Sequence, residues 1–231
     1  MKRLRRLAGE RRPGELLLEG PRVIRQALAA GVRLELLAVR EGNVFEFEAD
    51  RAVTLTRGVF RTVAQTDHPQ GVVAIGRREE ASFAQALAAA RAARWPLVVL
   101  DRVQDPGNVG AIARSAAAAG APSLVVLEGS ADPFGAKAVR ASAGHVFNLA
   151  VTRATWADLE GLRCTGAGVD GQPLDEVDLG ATEALVLGSE AHGLSRPLQK
   201  VAIPMAPGVE SLNVAAAAAV LLYEVRRRRD W

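Results

Sequence analysis

The sequence has little cysteine, lysine or aromatic character, and each shortage excludes something. A single cysteine, Cys164, rules out an intrachain disulfide framework and a cysteine-rich zinc site. The three histidines, His68, His145 and His192, are scattered with no Cys or His at ligand spacing, so no metal is expected. No run approaches the roughly 18 apolar residues of a membrane span. The basic start MKRLRRLAGERRPG lacks the apolar core and small-residue cleavage site of a secretory signal, so a soluble, cytoplasmic protein without membrane partners is expected. Aromatic residues make up 4% of the chain, too few for a base-stacking platform. The chain also lacks G-x-G-x-x-G, G-x-x-x-x-G-K-[ST] and G-x-S-x-G, which argues against a dinucleotide-binding redox enzyme, a P-loop NTPase and a serine hydrolase of the elbow type.

What is present is an ordinary globular composition. The 231 residues are 49% hydrophobic and 24% charged, enough for one large domain or two modest ones. The formal charge of +3 conceals a division near Trp95. Residues 1–95 carry 17 Lys and Arg against 11 Asp and Glu, whereas residues 96–231 carry 12 against 15. Most of the excess lies in an arm of residues 1–12, through Lys2, Arg3, Arg5, Arg6, Arg11 and Arg12. Cations are 26 Arg to three Lys. Arginine binds phosphate in a planar, bidentate way that lysine cannot, although a GC-rich genome produces the same bias.

Apolar periodicity predicts two α/β units. In the first, strands at LLLEG (16–20), RLELLAVR (33–40), AVTLT (52–56) and GVVAIG (71–76) alternate with a helix opened by Pro21 and another over VFRTVAQT (59–66), giving a small α/β/α sandwich over residues 13–78. A helix capped by Ser82 then links across residues 79–95. The second unit, residues 96–231, starts with the strand PLVVLD (96–101). After it come a loop DPGNVG (105–110), an Ala-rich helix to Gly120 and a strand SLVVLEG (123–129). A helix at 136–142, a strand at 146–151, a helix at 156–162 and a strand at 164–169 continue the alternation. Strands EALVLGSE (183–190) and VAIPM (201–205) and a long helix at 212–229 complete a parallel three-layer α/β domain, with its ligand site at the strand C-termini.

Three loops combine glycine with polar residues after an apolar run. In the first, Gly107 and Gly110 permit close backbone approach, Asn108 is a candidate helix cap, and Arg114 projects from the same helix. In the second, Glu190 is bracketed by Gly188 and Gly193, which implies a tight turn. In the third, Ser211 and Asn213 precede a helix of very small side chains. Taken singly, each is equally consistent with a capped helix or a surface turn.

Taken in order, N-x-G-x-x-x-R (108–114), G-x-E-x-x-G (188–193) and IPM-x5-SLN-x-x-x-A (203–217) are far more specific. With these motifs the sequence resembles the SpoU/TrmH branch of the SPOUT methyltransferases. LLLEGPRVIRQALAAG and DHPQGVVAI resemble that family's RNA-binding substrate domain. The resemblance implies methyl transfer from S-adenosyl-L-methionine to a ribose 2′-hydroxyl of structured RNA, with 23S rRNA favoured over tRNA, and a deep trefoil knot in the C-terminal domain. It further implies a homodimer formed through that domain. Arg114 would be catalytic, with Asn108, Glu190, Ser211 and Asn213 positioning it or the substrate. The methyl donor would lie against Leu187, Gly188, Gly193, Ile203, Met205, Ser211 and Leu212. RNA would be held by Arg3, Arg5, Arg6, Arg11, Arg12, Arg22 and Arg114. The competing reading is a non-catalytic RNA-binding assembly factor of the same fold, against which the complete set of polar motif residues argues.

Overall fold

The computed structural model describes residues 12–229. Strands β1 (Glu15–Glu19), β2 (Arg33–Arg40), β3 (Ala52–Leu55) and β4 (Val72–Arg77) form one sheet in the order β1-β4-β2-β3. Only the β2–β3 pair is parallel. Side-chain alternation sorts this sheet into two faces. Leu16, Leu18 and Leu34 share a core with Val23, Ile24 and Ala27 of helix α1 (Pro21–Ala29). Leu17, Val73 and Ile75 pack with Phe60 of helix α2 (Arg57–Arg61) on the other face. Helix α2 starts earlier and stops sooner than the pattern over 59–66 predicts. The Thr62 hydroxyl donates to the Val59 carbonyl at 2.8 Å, competing with helical continuation, and Val63 is then buried as the chain turns.

Helix α3 (Phe83–Ala92) follows, with a capping box in which Ser82 and Gln85 satisfy each other's backbone amides. Rather than bridging two bodies, it forms a layer on the second sheet: Ala86 and Ala90 are buried against Leu97, Val99, Val125 and Val186. That sheet comprises β5 (Leu97–Asp101), β6 (Ser123–Leu127), β7 (Ala150–Ala154), β8 (Cys164–Pro173), β9 (Ala184–Gly188) and β10 (Gln199–Ala202). Every pairing is parallel and the order is β10-β8-β9-β5-β6-β7, so the first strand of the unit lies at its centre. Helices α4 (Pro106–Ala119) and α6 (Val214–Arg227) cover the face opposite α3, with α5 (Ala136–Ala141) packed on α4. The two units share one core, and Ala81 N–H donates to Val151 O at 3.0 Å where they join.

Further elements depart from the pattern-based expectation for local reasons. Gly144, at φ 84, ends α5 and sends residues 145–148 into a 3-10 turn, so β7 begins at Ala150 rather than 146. The helix expected at 156–162 is a single 3-10 turn, Trp156–Leu159, stopped by Gly161 at φ 80. Strand β10 ends at Ala202, because Pro204 has no amide hydrogen for a ladder and restricts Ile203 before it. The expected loop at 105–110 is already helix: Asp105 is the cap, Pro106 occupies the first helical position, and Asn108 lies inside the first turn.

Candidate active site

Strands β5 and β9 end side by side, with Asp101 in register with Gly188. The loops that leave them carry the first two sequence motifs. After β5, the Asp105 carboxylate accepts from Gly107 N–H at 2.6 Å and Asn108 N–H at 3.1 Å, and from Lys137 Nζ at 2.7 Å. These donors hold the Asp105 carboxyl below the usual carboxylate range, the Lys137 hydrogen bond first. Because Asp105 caps the helix, the Asn108 side chain is released from the capping role that sequence suggests for it.

After β9, Ser189 and Gly193 exchange two backbone hydrogen bonds of 3.0 and 2.8 Å, making a tight turn with Glu190 at its exposed tip. Gly193 adopts φ 63, and a Cβ on Gly188 would stand 2.6 Å from the Gly193 carbonyl carbon. Both bracketing glycines are therefore required by the turn itself. Asp101, 1% exposed, fixes its far end by accepting from Ser195 N–H at 2.5 Å.

The third motif meets the other two through Asn213. Its Oδ1 caps α6, accepting from Ala215 N–H at 2.9 Å and Ala216 N–H at 3.4 Å. With that oxygen committed, its Nδ2 donates to Asn108 Oδ1 at 3.2 Å, and Asn108 Nδ2 in turn donates to Glu190 Oε1. An ionised carboxylate only accepts, so the direction of the whole relay follows from the cap. Three loops spread across the second domain are thereby locked into one constellation.

Beside it lies a cavity of about 540 Å³. Its apolar wall is Ile203, Met205, Leu212 and Leu221; Gly188, Gly193 and Ser211 also line it. One flank is the segment 167–171. Its strand partner jumps from Gly166 to Gln172 between Lys200 and Val201, so these residues bulge out to make a wall. The carboxylates of Asp170, Glu190 and Glu210 face one cation, Lys200, which is paired with Asp170 at 2.7 Å. An apolar slot with excess negative charge suits a ligand that is part aromatic and part cationic. Leu187 is not on this wall; its side chain is fully buried in the core. Of the lining carboxylates, Asp170 lies outside every motif and Glu210 falls on an unspecified spacer position of the third, so neither is marked by the sequence pattern. Asp105 was legible only in the Asp-Pro pair that opens many helices.

Arg114 stands apart from this constellation. It is exposed on α4, lines no part of the cavity, and its side chain makes no hydrogen bond or ion pair among the described residues. Its neighbourhood is basic. Burial, then Arg114 and Arg22, push the His145 imidazole below its ordinary range. Arg22, from the first unit, and Arg114, from the second, thus both act on the same imidazole. Arg12 is exposed, its backbone amide donating to Glu15 at 3.2 Å, while Arg3, Arg5, Arg6 and Arg11 lie outside the described residues. The described residues contain no group of three or more His, Cys, Asp or Glu arranged for a metal, and no helix long and apolar enough to cross a membrane.

Comparison with known proteins agrees with this geometry. The profile of the SpoU rRNA Methylase family matches residues 96–223, and that of the MRM3-like substrate binding domain matches residues 1–74. The 23S rRNA (guanosine(2553)-2′-O)-methyltransferase RlmP of Bacillus subtilis is 32% identical over 91% of this chain and 88% of its own length. An uncharacterized tRNA/rRNA methyltransferase of Synechocystis is 34% identical over 99% of this chain and 90% of its own. The crystal structure of the SpoU methyltransferase AviRb from Streptomyces viridochromogenes, in complex with AdoMet, superposes with a TM-score of 0.83 at 27% identity, covering 99% of this chain and 97% of that one. With its three loop motifs joined at one site and the family profile spanning the domain that carries them, this chain belongs to the SpoU rRNA methylase family.

Proposed function

We propose that the protein transfers a methyl group from S-adenosyl-L-methionine to a ribose 2′-hydroxyl of 23S rRNA. The observation that carries this reading is the Asn213–Asn108–Glu190 relay at the edge of an apolar, acid-lined cavity. The cavity fits the methyl donor: Ile203, Met205 and Leu212 offer an apolar bed for adenine, Gly188 and Gly193 leave room that a Cβ would fill, and the unbalanced carboxylates suit a sulfonium. When bound there, the donor supplies an electrophilic methyl group.

The protein's own task is to bring the 2′-oxygen in line and to stabilise the negative charge it develops. A guanidinium stays protonated at ordinary pH, so Arg114 acts as an electrostatic clamp on the alkoxide and an adjacent phosphate, not as a base. Its separation from the cavity in one chain supports a dimer in which Arg114 serves the partner's site. Val220 and Tyr223, 42% and 60% exposed and three residues apart on α6, supply an apolar face for that contact. The turn 188–193 and segment 203–214 meet at the cavity, and this supports the trefoil knot, a known exception to unknotted topology. RNA is held by the basic group Arg22 and Arg114 together with the arginines of the N-terminal arm. Mapping 2′-O-methyl groups in rRNA and tRNA from cells with and without the gene tests the reading: one 23S site should disappear. Loss confined to tRNA would overturn the rRNA assignment.

A further inference from the structure

A second cleft is larger than the one beside the relay. It lies at the opposite end of the second sheet, where β5 and β9 begin, and encloses about 880 Å³. Five arginines line it: Arg91 and Arg94 from the end of α3, Arg163 before β8, and Arg226 and Arg229 at the end of α6. Glu183 is the one carboxylate among the described lining residues, 3.8 Å from Arg91 and 3.9 Å from Arg163. Three of the five, Arg163, Arg226 and Arg229, come from residues 96–231, the part of the sequence that is acidic as a whole.

Several of these guanidiniums are held in place. Arg163 donates to Ala181 O at 2.7 Å, Arg226 to Ala118 O at 3.2 Å and Arg229 to Ala93 O at 3.1 Å, while the Arg229 guanidinium stacks 5.0 Å from the Trp95 ring. Burial first, and the nearby Arg94 second, push the Arg229 guanidinium below its ordinary range, and holding like charges together is unfavourable. An anion in the cleft would relieve that repulsion. A compact small-anion site buries its donors, whereas Arg91 and Arg163 are 64% and 71% exposed along the rim. Exposed, pre-oriented arginines spread along an open trough suit the phosphates of a long polyanion.

We infer that this arginine cleft grips the phosphate backbone of the RNA substrate, at the end of the domain opposite the methyl-transfer site. The inference rests on the RNA-methylation reading for the identity of the polymer, and it is read by binding rather than turnover. The test compares the full-length protein with the triple variant Arg91→Ala, Arg94→Ala, Arg163→Ala for binding of in vitro transcribed 23S rRNA across a salt series. The cleft predicts affinity lower by about tenfold at moderate salt and a log–log salt slope shallower by about two, since each phosphate contact contributes about 0.7 to 0.9. Binding of S-adenosyl-L-methionine should be unchanged. Glu183→Gln, which removes the lone carboxylate, should tighten RNA binding. Unchanged RNA affinity and slope in the triple variant overturn the inference. So does a result in which only tripolyphosphate binding responds to the three substitutions, which would make this a small-anion site. Failure of the proposed function would appear separately, as wild-type protein that binds RNA through the cleft but methylates no 2′-hydroxyl.

Discussion

The side-chain amide of Asn108 donates to the carboxylate of Glu190, joining the first turn of α4 to the turn after β9 across 82 residues of sequence. Asn108→Asp replaces that donor with a second carboxylate facing the first. Because Asn108 lies outside the cavity lining, the substitution should lower kcat by about a hundredfold through misplacement of the site while leaving the donor's Kd nearly unchanged. Steady-state kinetics with calorimetric binding of S-adenosyl-L-methionine separates the two effects. Normal turnover would remove the relay from the mechanism.

Arg114 carries a geometric demand as well as a charge. Arg114→Lys keeps the charge but loses the planar fork, so methylation should fall by about a hundredfold or more. If Arg114 serves the partner's cavity, mixing inactive Arg114→Ala with inactive Glu190→Ala should restore about a quarter of wild-type turnover, since half the dimers are mixed and each has one intact site. Inactive mixtures would place Arg114 in its own chain's site.

Two glycines separate stability from binding. A Cβ on Gly110 would stand 2.2 Å from Ala138 O and 2.7 Å from Ala141 Cβ, forcing α4 and α5 apart. Gly110→Ala should cost about 1–3 kcal/mol in chemical denaturation. Gly188→Ala instead strikes the backbone of the Glu190 turn, and its expected signature is weakened donor binding in calorimetry.

Acid should loosen the end of α6. Hydrogen bonds from Arg227 and then Arg228 lower the Glu224 carboxyl from its ordinary 4.5 to about 2. Arg228 also donates to Val177 O and Leu174 O, both at 2.6 Å, tying the helix to the chain after β8. A carboxyl whose pKa is depressed in the folded state contributes fully above pH 4.5, and its contribution is lost as pH falls towards about 2. The melting temperature of wild type should drop across that window, and Glu224→Gln should flatten the drop. An identical profile for both proteins would show that the pair contributes nothing.

Strand positions were legible because buried parallel strands are continuous apolar runs. Val98 and Leu100 face α4 while Leu97 and Val99 face α3, and no other element fits such a run. Elements ended by a single glycine or hydroxyl were less legible: the 3-10 turns at 145–148 and 156–159 share the composition of helix and strand alike. At the site, the motif residues Asn108, Glu190 and Asn213 were readable, but which of them caps a helix was not. Asp105 and Asn108 are both good caps, and only the position of Pro106 at the first helical residue decides between them. The arginine cleft was invisible for a different reason: its arginines come from three separate segments with no common motif.

Methyl transfer to a ribose oxygen leaves a product that can be identified chemically. The most direct measurement incubates the purified protein with tritiated S-adenosyl-L-methionine and unmodified 23S rRNA, then hydrolyses the RNA in alkali. A 2′-O-methyl group blocks attack on the adjoining phosphodiester, so the label should be recovered in an alkali-resistant dinucleotide. Label recovered in mononucleotides, which marks a base methylation, or no incorporation at all would contradict transfer to the ribose.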